Sequence, residues 1–135
     1  MERASNMKFG VIAVREFSEH IAEHLPLLVD SFIDMGCHHE NVVIKHVPTL
    51  QDIVVATQFM AQYTDVDGVV ILAPKNRAMG MLSLMNGIVQ LQIQWNMVVE
   101  IGGVDCAGDI VSMINLQNEM ELDSQDLVNP RLDIS

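Results

Sequence analysis

The chain has 135 residues, enough for one domain with a real core, and half of them are hydrophobic against 19% charged, which excludes a disordered chain. Seven Lys and Arg stand against 18 Asp and Glu, a formal net charge of −11, and a field of that sign repels phosphate backbones and argues against a nucleic-acid partner. The opening MERASNMKFGVIAV has a short apolar run without a signal-peptide layout, and no uninterrupted apolar stretch long enough to span a bilayer follows, so a soluble cytoplasmic protein without a membrane partner is expected.

In chain order, Met7–Val14 (MKFGVIAV) is nearly apolar throughout and reads as a buried parallel strand. Ser18 stands as the N-cap of a helix with Glu19 in its first turn. Ile21, Leu25, Leu28, Val29, Phe32 and Ile33 form its apolar stripe, which ends before Gly36. Pro26 falls inside that helix and predicts a kink. Asn41–Val47 (NVVIKHV) is a second strand, Asp52–Tyr63 a second helix, and Gly68–Ala73 (GVVILA) a third, buried strand. Met79–Trp95 is a helical stretch, Met97–Gly102 (MVVEIG) a fourth strand, and a weaker helix is expected over Asp109–Asn118. The remainder, Glu119–Ser135, is acidic, carries Pro130 and reads as a loose tail, so the domain is taken as residues 1–118 with a tail over 119–135.

Strands alternating with helices imply an α/β fold with a parallel sheet covered on both faces, and such folds collect ligands at the carboxyl ends of their strands. Those ends lie near Arg15–Phe17, Val47–Asp52, Ala73–Arg77 and Gly102–Asp105. Arg77 is an isolated cation at one of them, which invites either an anion or a salt bridge to a neighbouring carboxylate. Gln51 and Asp52 open the second helix and are placed equally well to cap it or to meet a ligand. His20 and His24 share a helix face at i, i+4; with no third ligand in sight they read as solvent-facing and no metal is expected. Met79, Met81 and Met85 recur at helical spacing and read as core or subunit contact. Cys37 and Cys106, without Cys-x-x-Cys spacing, read as incidental thiols. A phosphoacceptor receiver domain would need acidic residues after the first strand and an Asp after the third, where this chain has Arg15–Glu16 and Ala73–Pro74.

Several stretches, taken in order, resemble the lumazine synthase family. "GCHHENVVIKHVPTLQDIVVA" is similar to the segment in which a Gly and "EN" precede the second strand and "VPGAFEIP" leads into the next helix. "VIAVREFSEHI" resembles the first strand with its Phe-containing loop, "VDGVVILAPKNRA" the third strand with the "IRG" loop, and "NGIVQLQIQWNMVVEIGGV" the end of the long helix and the fourth strand. The resemblance spans Lys8 to Val104. It implies a flavodoxin-like three-layer sandwich with a four-stranded parallel sheet, assembled into homopentamers or larger shells with active sites between subunits. It also implies riboflavin biosynthesis: condensation of a ribitylamino-pyrimidinedione with dihydroxybutanone phosphate, a transferase reaction that uses neither metal nor organic cofactor.

Carried over residue by residue, Phe17 falls where the family's aromatic stacks on the pyrimidine. Thr49 and Leu50 fall where backbone amides and small side chains bind the pyrimidine and ribityl chain. Asp52 matches the Glu that holds ribityl hydroxyls, and Arg77 the Arg of the "IRG" loop. An aromatic face suits a flat heterocycle and a carboxylate suits a polyol.

The pattern also departs from the family. Where a phosphate-binding loop and a proton-transferring His belong, the chain has "AMGMLSLMN", without His or Thr, and no Lys or Arg occurs between Arg77 and Arg131. A placed acid–base group is worth about 10² to 10⁴ in rate, and a phosphate needs charge-assisted bonds that Lys75 and Arg77 alone would supply thinly. The related archaeal-type riboflavin synthases carry "VPGIKDLPVA", in which the Asp matches Asp52 more closely. The expected partner is therefore a small molecule, a ribityl pyrimidine or flavin-like compound, bound by a condensing enzyme or by a degenerate, ligand-binding version of it. The alternative is a catalytically inactive oligomeric shell or interaction protein on the same fold.

Overall fold

The computed structural model describes residues 4–85 and 97–128. Four strands, β1 (Phe9–Val14), β2 (Val42–Val47), β3 (Gly68–Leu72) and β4 (Val98–Gly102), form one all-parallel sheet in the order β2-β1-β3-β4. The helices are α1 (Ser18–Asp34), α2 (Ile53–Tyr63), α3 (Lys75–Met85) and α4 (Cys106–Val128). This is the expected α/β, flavodoxin-like three-layer sandwich.

The layering follows from alternation along the two central strands. Every residue of β1 and β3 is buried, because each strand is paired on both sides and covered on both faces. Ile12, Val14, Val69 and Ile71 face Ile53 and Met60 of α2 and Ala78 of α3. Phe9, Val11, Ala13, Val70 and Leu72 face Leu28 and Phe32 of α1 and Ile110 and Ile114 of α4. Phe9 and Phe32 stack with ring centroids 4.0 Å apart. The sheet edge β2 shows the opposite pattern, with Ile44, Lys45 and His46 exposed.

Several boundaries differ from expectation for identifiable reasons. Ser18 is the first residue of α1 rather than its cap, because a 3₁₀ turn over Arg15–Phe17 already coils the chain. Pro26 lies within an uninterrupted α1; the carbonyl of Ala22 that its missing N–H leaves without a helical partner belongs to an exposed residue, where water can satisfy it. Helix α3 begins at Lys75, earlier than the apolar spacing from Met79 indicates, since its first turn is polar and exposed. The second half of the stretch expected to be helical, residues 86–95, lies outside the described residues, as does the end of the acidic segment, 129–135. That segment is not a loose tail from Glu119: α4 continues as helix to Val128. Its Glu, Met, Leu and Gln residues are good helix formers, and over residues 119–124 the helix is exposed. Among the described residues no helix is long and apolar enough to cross a membrane.

Gly68 sets the approach of α4 to the sheet. A Cβ there would stand 2.7 Å from Ile110 Cδ1 and 3.1 Å from Ile114 Cδ1, both inside the core. Gly68→Ala is expected to cost about 1–3 kcal/mol by overpacking. Gly10→Ala should cost less, because the atom it meets at 2.6 Å is the sulfur of the flexible Met60 side chain. Urea unfolding midpoints at constant m-value check the ranking.

Candidate functional site

At the carboxyl end of the sheet, three turns converge. Strand β1 runs into the Arg15–Phe17 turn, β2 passes through Pro48 and Thr49 into a second 3₁₀ turn at Leu50–Asp52, and β3 leads through Ala73 and Pro74 into α3. Glu16 ties the first turn to the second: the Leu50 backbone N–H donates to Glu16 Oε1 at 2.6 Å. The second turn is also closed on itself. The Thr49 backbone N–H and hydroxyl both donate to Asp52 Oδ2, at 3.0 and 2.9 Å.

Between these turns lies a cleft of about 300 Å³ lined by Glu16, Thr49, Leu50, Gln51, Arg77 and Met81. Three of the five residues expected from the sequence, Thr49, Leu50 and Arg77, meet there. Phe17 sits beside it, buried, with the Arg77 guanidinium carbon 4.8 Å from its ring centroid. This cation–π contact anchors Arg77 and covers one face of the ring expected to stack on a heterocycle. Arg77 is exposed and forms no ion pair among the described residues, so the salt-bridge reading of this cation is not the one realised here. Asp52 stands apart. Its carboxylate is turned back onto Thr49, closing a capping box on the Leu50–Asp52 turn; it does not line the cleft and makes no side-chain cap to α2 itself. The amides of Thr49 and Leu50, expected to receive ligand atoms, are already satisfied by Asp52 and Glu16.

Glu16 is the residue that sequence reasoning missed as a site member. It also lines a neighbouring cleft of about 430 Å³ that includes Phe17, His20, Glu23 and Pro74. The available signal was its place immediately past the end of a buried central strand, where a parallel sheet presents its chemistry.

The loop after β4 is fastened from α1. His20 Nε2 lies 2.9 Å from the Gly102 carbonyl, and the Val104 N–H donates to His24 Nδ1 at 3.2 Å. By their partners, His20 donates through Nε2 and His24 accepts through Nδ1. The two histidines are half-buried with ring centroids 4.3 Å apart, not solvent-facing as expected, and a Cβ on Gly103 would run into the His24 ring. Among the described residues no three His, Cys, Asp or Glu side chains gather as metal ligands.

Beyond that loop, Cys106 is buried, and desolvation followed by the Glu100 and Asp109 carboxylates pushes its thiol up to about 11. At neutral pH it is a thiol and a poor nucleophile. Both cysteines are free. No protein-family model and no curated protein matches the chain, so the lumazine synthase resemblance stands on the quoted residues alone.

Glu100, half-buried in β4, is raised above the ordinary carboxyl range by desolvation and then by Asp109, with Lys75 acting in the opposite direction. A raised folded-state value means that its contribution is present below the unfolded carboxyl pKa and lost as pH rises through the folded one. Glu100→Gln should therefore raise the melting temperature at pH 7, with the gain vanishing by about pH 4. Thermal scans of both proteins across that range check the sign.

Proposed function

We propose that the chain is a cytoplasmic, homo-oligomeric, lumazine-synthase-like protein that binds a ribityl pyrimidine or flavin-like molecule at the strand-end cleft, with condensation chemistry strongly reduced. The observation that carries this reading is the convergence of Thr49, Leu50 and Arg77 on one cleft, with Arg77 braced on Phe17. A guanidinium held on an aromatic ring presents fixed donors to a carbonyl or anionic edge. The volume, about 300 Å³, is at the lower end for small-molecule sites, and a second cleft of about 430 Å³ shares the Glu16 wall with it.

Reduced catalysis follows from the lining. Among the described residues its one carboxylate, Glu16, is already bonded to the Leu50 amide, and no histidine lines the cleft. Imine formation and phosphate elimination both require proton transfer, so the lining supplies recognition more readily than turnover.

Riboflavin titrated into the protein should quench on binding, and Arg77→Ala should weaken that binding roughly ten- to a hundredfold, the range for losing a charged hydrogen bond. Undiminished binding by the variant would remove Arg77 from the site. In parallel, the ribitylamino-pyrimidinedione and dihydroxybutanone phosphate should give little or no lumazine fluorescence; rapid product formation would restore a full synthase.

A second reading, the same fold used as a non-catalytic building block, is favoured by one feature. Val55, Phe59 and Tyr63 recur every four residues on α2 and are 50%, 53% and 73% exposed. Phe59 and Tyr63 rim an apolar hollow of about 370 Å³ between α2 and β2. A contiguous apolar stripe of this kind marks a contact surface. Phe59→Glu should lower the oligomer mass measured by light scattering; an unchanged mass places the contacts elsewhere.

A further inference from the structure

We infer that Glu16, not Asp52, is the carboxylate that selects the ligand's polyol, an assignment that rests on the proposed ligand class and adds a specificity-determining residue to it. Glu16 stands in the wall of the cleft, and one of its two oxygens, Oε1, is held by the Leu50 amide at 2.6 Å. That bond fixes the side chain between two strand ends without using Oε2, which makes no hydrogen bond among the described residues. A carboxylate oxygen so placed accepts hydrogen bonds only, so it favours a hydroxyl-bearing chain and repels a phosphate or carboxylate. Arg77 lies in the same cleft yet forms no ion pair with Glu16. The cleft thus offers a fixed acceptor and a fixed donor that do not neutralise each other.

The neighbouring backbone strengthens this selection. Amides at a strand end ordinarily receive carbonyl or phosphate oxygens, but here Thr49 N–H is spent on Asp52 and Leu50 N–H on Glu16. The charged partners left in the lining are Arg77 for acceptor atoms of a ligand and Glu16 for donor atoms, with the neutral Gln51 amide able to serve either. Asp52 takes both bonds from Thr49 on a single oxygen and lies outside the cleft lining, so it does not share this role.

Two flavins separate the polyol from the ring: riboflavin, and lumiflavin, which has a methyl group in place of the ribityl chain. The unaltered protein should prefer riboflavin. In Glu16→Gln the side-chain carbonyl still accepts the Leu50 N–H, so the turn is preserved while the second acceptor becomes a donor. This variant should lose about tenfold or more in riboflavin affinity with lumiflavin unchanged, collapsing the ratio between them. Asp52→Asn, whose carbonyl still accepts from Thr49, should keep the ratio. A ratio unchanged in Glu16→Gln, or one lost in Asp52→Asn, overturns the assignment of Glu16 while leaving the proposed function standing. No binding of either flavin to the unaltered protein overturns the proposed function and this assignment with it. Circular dichroism of each variant, matched to the unaltered protein, excludes misfolding as the cause of a lost ratio.

Discussion

The constraint behind everything else is that β1 and β3 are buried on both faces. A strand with no exposed side has no room for a polar group along its length, and Phe9 through Val14 and Gly68 through Leu72 contain none. Polar chemistry is displaced to the places where these strands end. The carboxyl ends then receive what the strands cannot hold: Arg15 and Glu16 after the first, Lys75 to Arg77 after the third. The cleft is a consequence of the core, not an addition to it.

Within that region, internal bonds have taken over donors that a bound molecule would otherwise use. Glu16 and Asp52 each satisfy a backbone amide of the β2–α2 connection, and Phe17 already carries a guanidinium on one face. Each contact stiffens the turns, and each removes one route by which a ligand could be held. A site of this kind discriminates by what is left over, and the charged groups left over in the cleft lining are the Arg77 guanidinium and the half-engaged Glu16 carboxylate.

The sheet was legible in the sequence because its signal is simple. GVIAV and GVVIL have no polar residue, and their shortness and β-branched content suit a doubly covered strand. Three of the five expected site residues could be brought to one cleft by the strand-end rule and the family resemblance together. Asp52 could not be resolved that way, since capping a turn and binding a polyol require the same residue type in the same place, and the choice depends on a side-chain rotation. Glu16 was hidden for a related reason: its importance comes from reaching Leu50, a partner 34 positions away. The histidines were misjudged because their partners, Gly102 and Val104, lie about 80 residues on, and no spacing within α1 announces them. The length of α4 was obscured because residues 119–124 are exposed, which leaves helix propensity as the signal for that stretch.

The tether between α1 and the loop after β4 has a consequence for how the molecule comes apart. The Val104 amide is held by an imidazole of α1 rather than by a carbonyl of the sheet, and Gly103 sits against that same ring. Elements joined in this way open together, as a cooperative unit smaller than the whole fold. Fraying of α1 would expose the Val104 amide to solvent and unseat the end of β4, on the far side of β3 from where α1 begins. The first long helix in the chain and the last turn of the sheet would then share one opening free energy, although more than 60 residues separate them.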